Sequence, residues 1–188
     1  MPRPKSDEKR SAIMAAAVRL IASEGLGAAT MTIAKEAGVS NGSLFTYFET
    51  KADLMNQIYT ELKAEMAAAA LDGLPTKSGI RKQVLHMWSQ WLRWAASSPE
   101  KRRTLAHLSV SDDITPASHQ SASHTFAGIR ELLERSRENG PMRDVPLGFV
   151  ASLMSALAEA TIDFMIRDPA NADKHSKAAF EALWRMIA

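Results

Sequence analysis

Apolar side chains recur at three- and four-residue intervals along nearly the whole chain, and no convincing run alternates with the two-residue period of a strand. The first run predicts a helix over residues 7–24, with Ile13, Ala17, Leu20 and Ile21 on one face. Ser6 is placed to cap it, Asp7 and Glu8 lie at its positive dipole end, and Gly25 can take the left-handed conformation that ends it. A short helix follows over about residues 31–37, with Thr30 as its candidate cap. A third lies within Ala37–Phe48, written AGVSNGSLFTYF. A fourth starts near Lys51, where Thr50 and Asp53 form a Thr-x-x-Asp capping pattern, and continues through Leu54, Ile58, Leu62 and the alanines of 67–70.

Residues 72–79, DGLPTKSG, read as the clearest linker, and a fifth helix spans about 79–97. Ser98-Pro99-Glu100 then supplies a cap, a proline at the first helical position and an acid. Thr115-Pro116 repeats that logic for one long helix ending at Asn139-Gly140. Pro146 opens another, which stops before Asp168-Pro169, and a last helix covers about 172–187. The fold class expected is all-α, with about nine helices. The expected division is a three-helix domain over residues 1–50, a fourth helix that connects, and a larger helical domain over 71–188.

Composition narrows the class. The 188 residues are 46% hydrophobic, enough to bury a sizeable core. There is no cysteine, so these residues hold no disulfide, thiolate metal site or thiol nucleophile, which fits a reducing cytoplasm. No apolar run approaches the roughly 20 residues needed to span a bilayer, and no apolar signal core follows the basic start, so a cytoplasmic location without a membrane partner is expected. Net charge is +2, divided evenly between residues 1–60 and the rest, so bulk charge does not argue for nucleic acid. Only the first ten residues are locally basic, through Arg3, Lys5, Lys9 and Arg10. They are either a short arm that follows a phosphate backbone or a solvated tail.

The chemistry concentrates in Ala37–Phe48. Gly38 can bend the chain, Val39 plugs the junction and Ser40 caps the next helix, so the second and third helices form a helix-turn-helix. Leu44 and Phe48 share the face turned to the core, with Phe45 partly so. Gly42, Ser43, Thr46 and Tyr47 fall on the other side, and Asn41 lies at the flank. Small polar residues there let a helix sink into a DNA major groove, where hydroxyls and amides meet base edges and phosphates. Backbone N–H groups at the helix start can meet a phosphate, and Lys51 can clamp the backbone as a point charge. The alternative is a compact three-helix corner with one surface tyrosine.

The stretch IMAAAVRLIASEG…MTIAKEAGVSNGSLFTYFETKADLMNQIY resembles the N-terminal DNA-binding domain of the TetR/AcrR family of bacterial transcriptional regulators. The pattern IA-x-x-AGVS-x-G-x-L-F-x-YF-x-x-K-x-x-L matches over about residues 8–60. The resemblance implies contacts with double-stranded DNA from Ser40, Asn41, Gly42, Ser43 and Phe45 at the groove. It implies Thr46, Tyr47 and Lys51 near the backbone, with Thr30 and Thr32 at the other phosphate-facing end. Two departures stand out. The segment Gly25–Ile33 is one residue shorter than the family spacing, which leaves Thr30 against Thr32 open. Phe45 stands where tyrosine is common, so a hydroxyl contact is replaced by an apolar one that can touch a thymine methyl.

The resemblance also implies a homodimer built on the last two long helices, with Ser152, Ser155, Ala156, Glu159, Phe180, Trp184 and Ile187 as interface candidates. A small-molecule effector would enter the larger half. Met87, Trp88, Trp91 and Trp94 crowd one helix, and Phe126, Met154 and Met165 are candidates to line the same space, with His107 as a polar contact. Core packing is the competing reading for each of these residues. Glu159 and Asp163 are read as a solvated or interfacial face, and His119 and His124 have poor spacing for a metal. No cofactor, metal or catalytic residue is expected, and the chain is not read as an enzyme. The reading is a repressor that binds a palindromic operator as a homodimer and is released by a small, mostly apolar ligand. A ligand-dependent activator and a helical protein-interaction module without DNA binding are the alternatives.

Overall fold

The computed structural model describes residues 7–188. Ser6 and the basic residues Arg3 and Lys5 lie outside the described residues. Ten α-helices run in chain order: α1 Asp7–Glu24, α2 Thr30–Glu36, α3 Asn41–Tyr47, α4 Lys51–Leu71, α5 Ile80–Ser97, α6 Pro99–Ser109, α7 Pro116–Thr125, α8 Ala127–Arg137, α9 Leu147–Arg167 and α10 Ala172–Ile187. Short 3-10 turns occupy Gly25–Gly27 and Pro169–Asn171. No strand occurs among the described residues.

Local cap chemistry sets most of these boundaries. Gly25 takes φ +76° after α1, and Gly38 takes φ +69° after α2. The Asp53 amide donates to the Thr50 hydroxyl at 3.0 Å, and the Asp53 carboxylate accepts from the Glu49 amide at 3.0 Å. The Thr115 hydroxyl accepts from the Ser118 amide at 3.2 Å, with Pro116 at the first helical position. Two caps differ from expectation. Thr30 is the first residue of α2 rather than its cap, because the preceding turn and buried Ala28 bring Ala29 to the cap position, whose carbonyl accepts from Ile33 at 3.0 Å. Ser98 holds the cap position of α6 but its hydroxyl makes no cap bond.

The long helix expected from 116 to about 139 is two helices, α7 and α8, broken at Phe126. Two residues on, Gly128 lets Leu71 approach, a Cβ there standing only 3.0 Å from the Leu71 Cδ1 atom. The linker 72–79 is a tied loop. The Gln83 amide, fully buried, donates to the carbonyls of Thr76 (3.2 Å) and Ser78 (2.6 Å), and a His86 ring nitrogen meets the Asp72 carbonyl at 2.6 Å.

The helices gather into two compact units. Of the described residues, the first contains 7–64 together with Ser98–Ser123, and the second contains Glu65–Ser97 together with His124–Ala188. Residues 98–123, expected with the larger half, therefore fold with the N-terminal helices. In the first unit Ile13, Ala17, Ile21, Ile33, Leu44, Phe48, Leu54, Ile58 and Leu108 are all but inaccessible. The Arg19 guanidinium meets Glu36 at 2.6 Å, joining α1 to α2, and the buried Thr104 hydroxyl donates to the Val18 carbonyl at 2.8 Å, joining α6 to α1. Asn56 of α4 donates to the Asp113 carbonyl at 2.7 Å and accepts from the Thr115 amide at 2.9 Å, holding the start of α7. In the second unit α5, α8, α9 and α10 enclose a core of Val84, Met87, Trp88, Leu92, Leu132, Leu133, Ala158, Ile162, Phe180 and Leu183.

One helix corrects the reading of the hydropathy. The sequence was expected to hold no apolar run of membrane-spanning length, yet α9 has 21 residues and a best-window mean hydropathy of 1.6. It carries Glu159 and Asp163 within its length, and its Val150, Met154, Ala158 and Ile162 are buried in the second core.

Candidate nucleic-acid interface

The junction between α2 and α3 is built by backbone hydrogen bonds. The Val39 amide donates to the Ala34 carbonyl at 2.9 Å and the Gly38 amide to the Lys35 carbonyl at 3.1 Å. This pair is the helix-ending arrangement that needs a left-handed residue, and glycine occupies it without strain. Ser40 then sits in extended conformation and its hydroxyl accepts from the Ser43 amide at 3.1 Å, starting α3. From α3 the side chains of Leu44 and Phe48 are fully buried, Phe48 as the residue that closes the helix. The helix is thereby fixed by one face only.

The other face is open. Gly42, Phe45 and Thr46 are exposed, and Asn41, Ser43 and Tyr47 are half-buried. Phe45, expected partly in the core, is 42% exposed, while Leu44 takes the inward position. A Cβ added at Gly42 would meet no atom within 4 Å, so the backbone of the first turn is bare. The Thr46 hydroxyl donates back to the Ser43 carbonyl at 2.7 Å, leaving its oxygen to accept. The Asn41 Oδ1 atom is buried with no hydrogen-bond partner. On α2, Thr32 and Met31 are exposed, Met31 to 71%, and Thr30 is half-buried. Met31 was not singled out by the pattern, since a lone methionine at a helix start carries no periodic signal.

Two basic side chains are engaged inside the unit. Lys51 donates from Nζ to the Leu26 carbonyl at 2.6 Å, which uses one of three ammonium donors and holds the charge beside the turn that precedes α2. Arg10, the last of the basic residues read as either a phosphate-following arm or a solvated tail, donates to Gln57 and Glu61, each at 2.6 Å.

The expected effector residues divide. Met87, Trp88, Met154 and Met165 are buried in the second core, with Trp91, Trp94 and Phe126 half-buried at its border. The Trp88 indole donates to the Ser176 carbonyl at 3.1 Å, Trp91 meets Trp88 edge-on at 6.0 Å, and Trp94 donates to Glu65 at 2.9 Å. His107 does not join them. It is exposed on α6 in the first unit, beside Gly25, because residues 98–123 fold with that unit. Among the described residues, no group of three or more His, Asp or Glu side chains is placed to hold a metal ion.

The expected interface residues divide as well. Phe180 and Ile187 are buried inside the second unit and Trp184 is half-buried, stacked on Phe180 at 6.0 Å, so the apolar stripe of α10 belongs to the core of its own chain. Ser152, Ser155, Ala156 and Glu159 are exposed. Beside them on α9 stand Phe149 and Phe164, each 55% exposed, and Ile166, 45% exposed. Those three were missed because α9 is apolar all round, and periodicity cannot choose between two apolar faces.

A glycine-turned pair of helices with an open second helix, carried by an all-helical chain, is a helix-turn-helix. Residues 13–58 match the family described as bacterial regulatory proteins, tetR family. A tetR family transcription regulator from Shewanella sp. PV-4 has 26% identity to this chain, over 94% of it and 96% of that chain, with a TM-score of 0.83. A TetR family regulator from Marinobacter aquaeolei VT8 has 24% identity over 95% and 94%, with a TM-score of 0.82. The regulator FadR from Bacillus subtilis, solved in complex with stearoyl-CoA, shares the fold at 17% identity over 95% and 99%, with a TM-score of 0.71. Residues 13–58 therefore match the tetR family, and the whole chain is similar in fold to TetR-family transcription regulators.

Proposed function

We propose that this chain is a transcriptional repressor that binds a palindromic operator as a homodimer and leaves it when a small, mostly apolar ligand binds. The observation that carries the DNA contact is α3 itself: Leu44 and Phe48 anchor it, while Gly42, Phe45 and Thr46 face outward with nothing bulky on the first turn. Ser40, Asn41, Ser43, Tyr47, Lys51, Thr30 and Thr32 flank that face as base- and phosphate-contacting candidates. The exposed side of α9, with Phe149, Ser152, Ala156 and Phe164, supports pairing with a second copy, since exposed rings beside small residues allow close helix approach. Two copies of α3 would read half-sites about one helical turn, roughly 34–36 Å, apart.

The effector reading rests on the apolar border of the second unit, where Trp91, Trp94 and Phe126 remain half-buried. A ligand acts only through its differential affinity for the DNA-competent and incompetent states. Selection of bound sequences from random duplexes with the purified full chain tests the proposal. An enriched inverted repeat is expected. Recovery of a single unrepeated site would overturn the dimeric reading, and recovery of no sequence, with or without small-molecule extract, would overturn the DNA reading.

A further inference from the structure

Asn41 and Phe45 are four residues apart on α3, and side chains at that spacing lie next to each other on a helix surface. What each can offer to a ligand is restricted. A primary amide ordinarily presents an accepting oxygen and a donating NH2. The Asn41 oxygen is buried without a partner, so its donating edge is the part left to face outward. Phe45 presents only a ring, 42% exposed to water. Gly42, between them in sequence, adds no side chain that would hold a duplex away.

The major groove sorts these offers. Adenine is recognised by an amide that donates to N7 and accepts from N6, and an amide with a buried oxygen lacks the accepting half. Guanine presents two acceptors, N7 and O6, on one edge, and the thymine C5 methyl is the apolar group of the groove. Four helical residues rise about 6 Å, and base pairs are spaced about 3.4 Å apart, so neighbouring contacts fall within about two base pairs.

We propose that α3 selects a half-site in which a guanine meets Asn41 and, within two base pairs, a thymine methyl meets Phe45, and that Asn41 does not read adenine. The proposal rests on α3 being the groove-reading helix, and it adds which base edges that helix accepts. Its test uses the full-length protein and the sequence recovered by selection, measured at one fixed salt concentration.

Each thymine of the half-site is replaced in turn by deoxyuridine, which removes only the methyl, and each guanine by 7-deazaguanine, which removes only the N7 acceptor. One deoxyuridine position is expected to weaken binding about fourfold, the worth of burying one methyl-sized group. That effect should vanish in Phe45→Ala. A 7-deazaguanine within two base pairs should weaken wild type and leave Asn41→Ala unaffected, with the helical content of both variants as in wild type and both fully folded at the assay temperature. Binding that is indifferent to every deoxyuridine, or a 7-deazaadenine effect that disappears in Asn41→Ala, overturns the assignment while the DNA reading stands. Absence of any sequence-selective binding overturns both, and the two failures are thus distinguishable.

Discussion

Arg10 of α1 lies over the ring of Phe48, its guanidinium carbon 5.6 Å from the ring centroid. The same guanidinium bonds Gln57 and Glu61 of α4, so one side chain ties α1, the end of α3 and α4 together. The pair with Glu61 is solvent-exposed on one side and is worth little alone, whereas cation–π contact adds about 0.5–1 kcal/mol. Arg10→Ala is expected to lower unfolding free energy by about 1 kcal/mol. The denaturant midpoint should fall with the slope unchanged. With its guanidinium engaged by Gln57 and Glu61, Arg10→Ala is expected to leave the salt slope of DNA binding as in wild type.

Gly42→Ala separates fold from function. The added methyl meets nothing within 4 Å, and alanine is the better helix former by up to about 1 kcal/mol. Thermal midpoint should hold or rise slightly. Overpacking against a closely approaching duplex costs about 1–3 kcal/mol, so DNA affinity should drop by about tenfold or more in a mobility or anisotropy titration. Unchanged affinity would place the duplex elsewhere.

Two glycines of the second unit make opposite predictions. At Gly128 a Cβ would press on the flexible Leu71 Cδ1 atom at 3.0 Å, so Gly128→Ala should change stability by no more than about 1 kcal/mol. At Gly140 a Cβ would stand 2.1 Å from the Ile187 carbonyl oxygen and 2.8 Å from backbone atoms of Ile187 and Ala188. Backbone cannot rotate aside, and Gly140→Ala should cost about 3 kcal/mol or more by calorimetry.

Burial holds the Lys63 ammonium below the ordinary lysine value of 10.5, with Nζ 5.6 Å from the centre of the Tyr59 ring. The unfolded chain therefore keeps this proton more readily than the folded one. Folding carries the full penalty of burying the charge below the folded value, and loses that penalty as pH rises toward 10.5. Lys63→Met should be more stable than wild type at pH 7, with the advantage narrowing toward pH 10.5. Denaturant midpoints of both proteins across that range give the difference directly.

The proposed pairing through α9 would make apparent stability depend on concentration. For wild type the melting midpoint should rise with protein concentration. Phe164→Glu, at a position 55% exposed in the single chain, should weaken the dimer about 30-fold or more and flatten that dependence. Sedimentation equilibrium checks the mass of both species.

Legibility followed the range of the interaction. Ser40, Thr50, Thr115, Gly25 and Gly38 were readable because a cap involves residues within four positions of one another. Leu44 and Phe45 were readable from helical spacing, which placed Leu44 inward and Phe45 only partly so. Trp88 finds its hydrogen-bond partner 88 residues away at Ser176, and nothing local announces that. The same holds for 98–123, whose return to the N-terminal helices depends on Thr104 meeting the Val18 carbonyl and on Asn56 holding the 113–115 backbone. On α10 the strongly one-sided stripe meant core, whereas on α9 two apolar faces left the choice to tertiary packing.

The α3 helix has seven residues, well short of the roughly 12–15 at which an isolated peptide begins to hold helical form in water. Its shape exists only because Ser40, Leu44 and Phe48 are already held. The conformational freedom of this segment is thus surrendered when the protein folds, long before any duplex arrives. Encounter with DNA then needs no ordering step in the reading helix, and association should be quick, with discrimination between right and wrong sites expressed mainly in how long each complex survives.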